Sequence, residues 1–137
     1  MSYSHFSADC HEYHDLVRDF IGHRPTIVAL CGSTRFRDAF SAVNRNLTLD
    51  GVIVIAPGVF GHSGDPLTDD AKLRLDDLHK RKIDLADEVF VVNPGGYIGE
   101  STRSEVKYAE KLGKPVRYLE PAAEAAQEAQ IGGDDRA

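Results

Sequence analysis

Thr26-Ile27-Val28-Ala29-Leu30-Cys31-Gly32-Ser33-Thr34-Arg35 decides the fold. Its first six residues form a short, unbroken, β-branched run that ends at a glycine. A strand buried on both faces of a parallel sheet has that pattern, whereas a half-exposed strand alternates. Two more runs repeat it, Val52-Ile53-Val54-Ile55-Ala56 and Glu88-Val89-Phe90-Val91-Val92-Asn93. Val116-Arg117-Tyr118-Leu119 is a weaker fourth, after Gly113 and Pro115.

Helical stretches separate these runs. Residues 36–49 follow the first strand and stop at Gly51. Residues 69–86 follow the second, with Thr68 as N-cap and Asp69 and Asp70 in the first turn, where the helix dipole favours negative charge. Residues 102–112 follow the third and close at Gly113. A leading helix over 8–22 precedes them all. Strands alternating with helices imply right-handed crossovers. The expected architecture is a three-layer flavodoxin/Rossmann-like α/β sandwich with a parallel sheet of four or five strands. Residues 1–120 read as one domain, and 121–137 as a short helix fraying into a disordered tail.

Composition narrows the function classes. A chain of 137 residues has the size of one domain. Its net charge of -6 argues against binding a nucleic-acid polymer along its backbone, yet leaves room for one anionic small molecule at a local positive site. No apolar run approaches the length of a membrane span, and the first residues lack a secretory pattern. Two cysteines, Cys10 and Cys31, make no disulfide framework, so a reducing cytoplasm is the expected setting.

In a parallel sheet, ligands bind beyond the carboxyl ends of the strands, which selects three loops. In the first, Gly32, Ser33, Thr34 and Arg35 lie between a strand and a helix. Backbone N–H groups, two hydroxyls and the Arg35 or Arg37 fork suit a phosphate there, and a capped helix start is the plain alternative. The spacing from Cys31 to Arg37 also fits a cysteine phosphatase, with Asp65-Pro66 as an acid loop. Asp38 after the arginine would oppose a phosphate, so a small buried thiol is the preferred role for Cys31.

The second loop runs from Pro57 to Leu67. It is either a plain surface loop or a wall for a flat ring, with Phe60 stacking and His62 or Asp65 hydrogen-bonding. The third, Asn93 to Ser104, contains Gly96 and Tyr97 and leads to Glu105. On a helical wheel Glu105 falls on the same broad face as Val106, Tyr108, Ala109 and Leu112. An inward carboxylate beside a Gly-rich loop signals function, unless Thr102-x-x-Glu105 is only a capping box. The preceding helix has an apolar arc of Leu75, Leu78, Ile83, Leu85 and Ala86 that also holds His79 and Lys82, with Asp76 on the polar side. His79 reads as a core histidine or a catalyst, and Lys82 as a snorkelling chain.

These motifs together resemble one family. They are the strand before Cys31-Gly32-Ser33-Thr34-Arg35, then His79-x-x-Lys82-Ile83-x-x-Ala86-Asp87, then Gly96-Tyr97-Ile98-Gly99-Glu100-Ser101-Thr102-x-x-Glu105, Tyr108-Ala109 and Gly113-Lys114-Pro115-Val116. Residues 26–120 are similar to the nucleoside 2-deoxyribosyltransferase superfamily, which includes nucleoside 5'-monophosphate N-glycosidases. The resemblance implies that Glu105 is a nucleophile forming a glycosyl-enzyme intermediate. It also implies that Ser33, Arg35 and Ser101 hold a 5'-phosphate, that no cofactor is needed, and that the protein is a homodimer. Two positions depart from it. His79 stands where the family has a base-side aspartate, and Ala29 where it has a tyrosine beside the nucleophile, leaving Tyr97 as a candidate to hold Glu105. No His, Cys or Asp cluster has metal-ligand spacing along the chain. Deoxyribosyl transfer between bases is a second possible function, and nucleotide binding without catalysis a third.

Overall fold

The computed structural model describes residues 24–61, 64 and 66–122. The leading helix expected over 8–22, the tail from 123, and His62 and Asp65 lie outside the described residues.

Four strands, β1 (Ile27–Cys31), β2 (Ile53–Ile55), β3 (Glu88–Val91) and β4 (Val116–Tyr118), form one all-parallel sheet in the order β2-β1-β3-β4. Three helices connect them: α1 (Arg37–Leu49), α2 (Asp69–Leu85) and α3 (Glu100–Lys111). The expected three-layer sandwich is what forms, with four strands among the described residues.

Successive side chains on a strand point to opposite faces, so the central strands feed two cores. Val28 and Leu30 of β1 and Val92 beyond β3 pack with Phe40 and Val43 of α1. Ala29 and Cys31, with Val89 and Val91, pack with Ile83 of α2 and Val106 and Ala109 of α3. This places α1 on one side and α2 with α3 on the other. The apolar arc of α2 is narrower than its sequence suggests. Ile83 is fully buried, while Leu78 and Leu85 are exposed.

Side chains fasten the helix ends. Thr68 Oγ1 accepts from Ala71 N–H at 3.1 Å, as the N-cap expectation requires. Lys114 Nζ donates to the carbonyls of Ile83, Asp84 and Ala86 at 2.9, 2.8 and 2.7 Å, closing the C-terminus of α2, where acceptors are left without intrahelical donors. Asp87 accepts a two-pronged bond from Arg24 and the N–H of Ile27, tying the start of β1 to the start of β3. At the opposite edge, buried Asn93 donates from Nδ2 to Glu120 O at 2.9 Å and accepts from Glu120 N–H at 3.0 Å.

The strand order reverses between β1 and β3, the place where such sheets open a crevice. Gly32 makes that crevice tight. Its φ is +148°, and a Cβ there would stand 2.5 Å from the Val92 carbonyl oxygen. Only glycine lets the first loop press against the end of β3.

Candidate active site

At that crevice lies a cleft of about 500 Å³. Three elements build its floor. Cys31 ends β1 on the side of α2 and α3, fully buried beneath the residues that line the cleft. His79 stands midway along α2. Glu105 is the sixth residue of α3. The α3 start decides how Glu105 is to be understood. Gly99 is the N-cap and supplies no side-chain cap, while Thr102 is buried inside the first turn. Thr102 therefore caps nothing, and the capping-box explanation of Glu105 fails. Its carboxyl is free of the helix start and turns inward.

There it meets the other two. His79 Nε2 lies 3.2 Å from Cys31 Sγ and 3.6 Å from Glu105 Oε1, and the Cys31 thiol hydrogen-bonds the Glu105 carboxyl. Burial controls their protonation. It pushes Glu105 up to about 8, with help from the charge of Asp76 and against the Cys31 hydrogen bond and Lys80. Burial, then the charge of Lys82, lowers His79 to about 4. Burial and the neighbouring Glu105 raise the thiol well above its usual range. Desolvation opposes charge on both members of the His79–Glu105 pair. At neutral pH the floor is thus a carboxylic acid, a neutral imidazole and a thiol.

This excludes the cysteine-phosphatase reading. Cys31 is fully buried, its proton is held tightly, and it packs among Val91, Val106 and Ala109. Nor is the trio a nucleophilic relay, which needs the acid and the thiol on opposite ring nitrogens. Both flank Nε2.

The rim is polar and open. Gly32, Ser33 and Thr34 contribute one side, and Gly99, Ser101 and Thr102 the other. The α3 start presents N–H groups with no intrahelical acceptor. Ser33 Oγ accepts from the N–H and Nε of Arg35 at 3.4 and 3.2 Å. Arg35 is exposed and lies over the Tyr97 ring, 4.5 Å from its centroid, with Phe36 edge-on to the same ring at 6.0 Å. Arg35, Tyr97 and the buried Gly96 thus shape the loops beside the cleft, which other residues line. Phe60 is committed elsewhere. It packs edge-on to Phe40 and under Arg37, partly buried against the core on the α1 side, and does not line the cleft. Its neighbours Pro57, Gly58 and Val59 line the cleft.

Three lining residues escape sequence reasoning. Asp76 belongs to the polar side of α2, Lys82 reads as snorkelling, and Lys72 carries no signal of its own. Lys82 Nζ donates to Ala56 O at 3.1 Å, joining α2 to the end of β2. The signal available is spacing, since Lys72, Asp76, His79 and Lys82 recur at three- and four-residue steps. Spacing along the chain and nearness in space are separate matters. In space, donor atoms of Cys31, His79 and Glu105 all lie within 4.8 Å of one another.

No family model, curated protein or solved structure matches this chain. Among the described residues, no helix is long and apolar enough to cross a membrane.

Proposed function

We propose that the protein is an N-glycosidase that hydrolyses the base–sugar bond of a nucleoside 5'-monophosphate, with Glu105 as nucleophile. The observation that carries the reading is the Glu105 carboxyl, freed from helix capping and set beside His79 in the lining of the cleft, with buried Cys31 behind them.

The ionised carboxylate attacks the anomeric carbon. The C–N bond breaks, its electron pair leaves with the base, and the base takes up a proton. Water then cleaves the glycosyl ester, returning the carboxylate and releasing the sugar phosphate and a proton. A carboxylate suits this chemistry because the transition state is oxocarbenium-like. In-line displacement puts the leaving nitrogen opposite the nucleophile. His79 Nε2, 3.6 Å from Glu105 Oε1, stands on the nucleophile's own side. Its role is therefore to orient Glu105 in the Nε2–H tautomer, and not to protonate the base as its match to the family's aspartate suggests. Asp76, one turn earlier on α2 and lining the cleft, is the carboxylate available to the base edge. The α3 N-terminus, with Ser101, and the Gly32–Thr34 loop form the phosphate cradle. Arg35 joins it only by leaving Tyr97.

A panel of ribo- and deoxyribonucleoside 5'-monophosphates, incubated with wild type and Glu105→Ala, tests this by chromatography of free base. Release by wild type alone supports the glycosidase. Appearance of a new nucleoside 5'-monophosphate when a second base is added would make it a transferase. No release from any member, with thermal stabilisation by one of them, would replace the reading with nucleotide binding without chemistry.

A further inference from the structure

We propose that Cys31, His79 and Glu105 form a coordination site for a thiophilic divalent cation, zinc foremost. The inference goes beyond the glycosidase reading and stands without it.

The distances suit the ion. Tetrahedral zinc holds sulfur at about 2.3 Å and nitrogen or oxygen at about 2.0–2.1 Å, so its ligand atoms stand roughly 3.3–3.6 Å apart. Here Sγ to Nε2 is 3.2 Å, Nε2 to Oε1 is 3.6 Å, and all three donors lie within 4.8 Å of one another. The two separations that centre on Nε2 thus bracket the tetrahedral range. The three ligands come from β1, α2 and α3, elements whose cores pack together, so the site is held by the fold and not by one loop.

The donor set selects the metal. A thiolate and an imidazole favour zinc and its neighbours, whereas magnesium and calcium require oxygen donors. Charge also balances. A thiolate and a carboxylate together carry the two negative charges that neutralise a divalent ion in a dry site. As the ion binds, the protons of the thiol and the carboxyl pass to water. Because His79 and Glu105 line the cleft, a water can reach the fourth position from it. An ion seated here occupies Glu105, so the ion and any ligand that uses Glu105 compete.

The test uses the full chain, stripped with a chelator and titrated with cobalt(II). A 1:1 complex with a sulfur-to-cobalt charge-transfer band and intense tetrahedral d–d absorption is expected. Zinc should displace cobalt, and a large excess of magnesium should not. The band should survive Cys10→Ser, which removes the chain's other thiol, and vanish in Cys31→Ser. His79→Gln and Glu105→Gln should each weaken zinc binding at least about tenfold, since losing a direct ligand costs no less than losing an outer-shell partner. Absence of the charge-transfer band in wild type, or its persistence in Cys31→Ser, overturns the site. Should Cys31→Ser fail to fold, unchanged zinc affinity in both other variants overturns it equally.

Discussion

The floor and the rim of the cleft follow opposite physical rules. The floor is Cys31, His79 and Glu105, inward-facing groups whose burial suppresses charge. The rim is Gly32 to Thr34, the start of α3, Lys72 and Asp76, where N–H groups and charged side chains meet solvent. A reactive carboxylate benefits from a dry site, because little water must be reorganised as charge moves to it. An anionic phosphate benefits from the reverse, many donors at a wet edge. One cleft can serve both only if its polarity changes with depth, as it does here.

Breaking the floor should have the largest effect. Glu105→Gln keeps the shape and removes the proposed nucleophile, so, on the glycosidase proposal, base release should fall at least about a thousandfold in kcat. Single-turnover assays would check it. A variant retaining most of its activity would leave the floor without a chemical role.

Gly32→Ala tests whether the two zones need the tight junction between them. The added Cβ meets the Val92 carbonyl at 2.5 Å in a positive-φ conformation. A loss of about 2–4 kcal/mol in urea unfolding is expected. A loss below about 0.5 kcal/mol would mean that the loop relaxes freely.

The floor's protonation should be visible in the pH dependence of stability, measured without metal. Glu105 is raised from 4.5 to about 8, so its contribution is fully present below 4.5 and is lost as pH rises to 8. His79 is lowered from 6.5 to about 4, so its contribution is present above 6.5 and is lost as pH falls to 4. Between 4.5 and 6.5 the two slopes cancel. From 6.5 to 8 only the Glu105 slope remains, a decline of about 2 kcal/mol. Urea midpoints across this range should show it in wild type and lose it in Glu105→Gln. The same ionisation predicts kcat/KM rising through about pH 8, in contrast to a rim-controlled enzyme.

Breaking the rim should cost least. Ser33→Ala or Ser101→Ala removes one hydroxyl from the proposed phosphate cradle. Each should raise KM for a monophosphate about tenfold, in keeping with one hydrogen bond to a charged group, and leave the unphosphorylated nucleoside unaffected. An equal effect on both substrates would move the phosphate elsewhere.

The sheet is more legible in the sequence than the floor, for a physical reason. A central parallel strand must be apolar on both faces, so β1 and β3 announce themselves within about six residues. The inward face of Glu105 is equally legible from its wheel position. Its partners are not. Cys31 and His79 are 48 residues apart, and their contact depends on how α2 lies across the sheet. The start of α3 misleads because Thr102 and Gly99 are both acceptable caps, and burial of Thr102 decides between them. Some residues of the family-like motifs prove to be fasteners. Lys114 closes α2 and Asp87 joins two strands, work that any chemistry on this fold would need.

The clasp between Asn93 and Glu120 gives the molecule a polarity useful at the bench. It holds the chain leaving β4 against the end of β3, at the same sheet edge as the cleft. Arg24, bonded to Asp87, enters β1 at the far edge. A fluorophore just after Glu120 would therefore sit on the ligand's side and report its arrival.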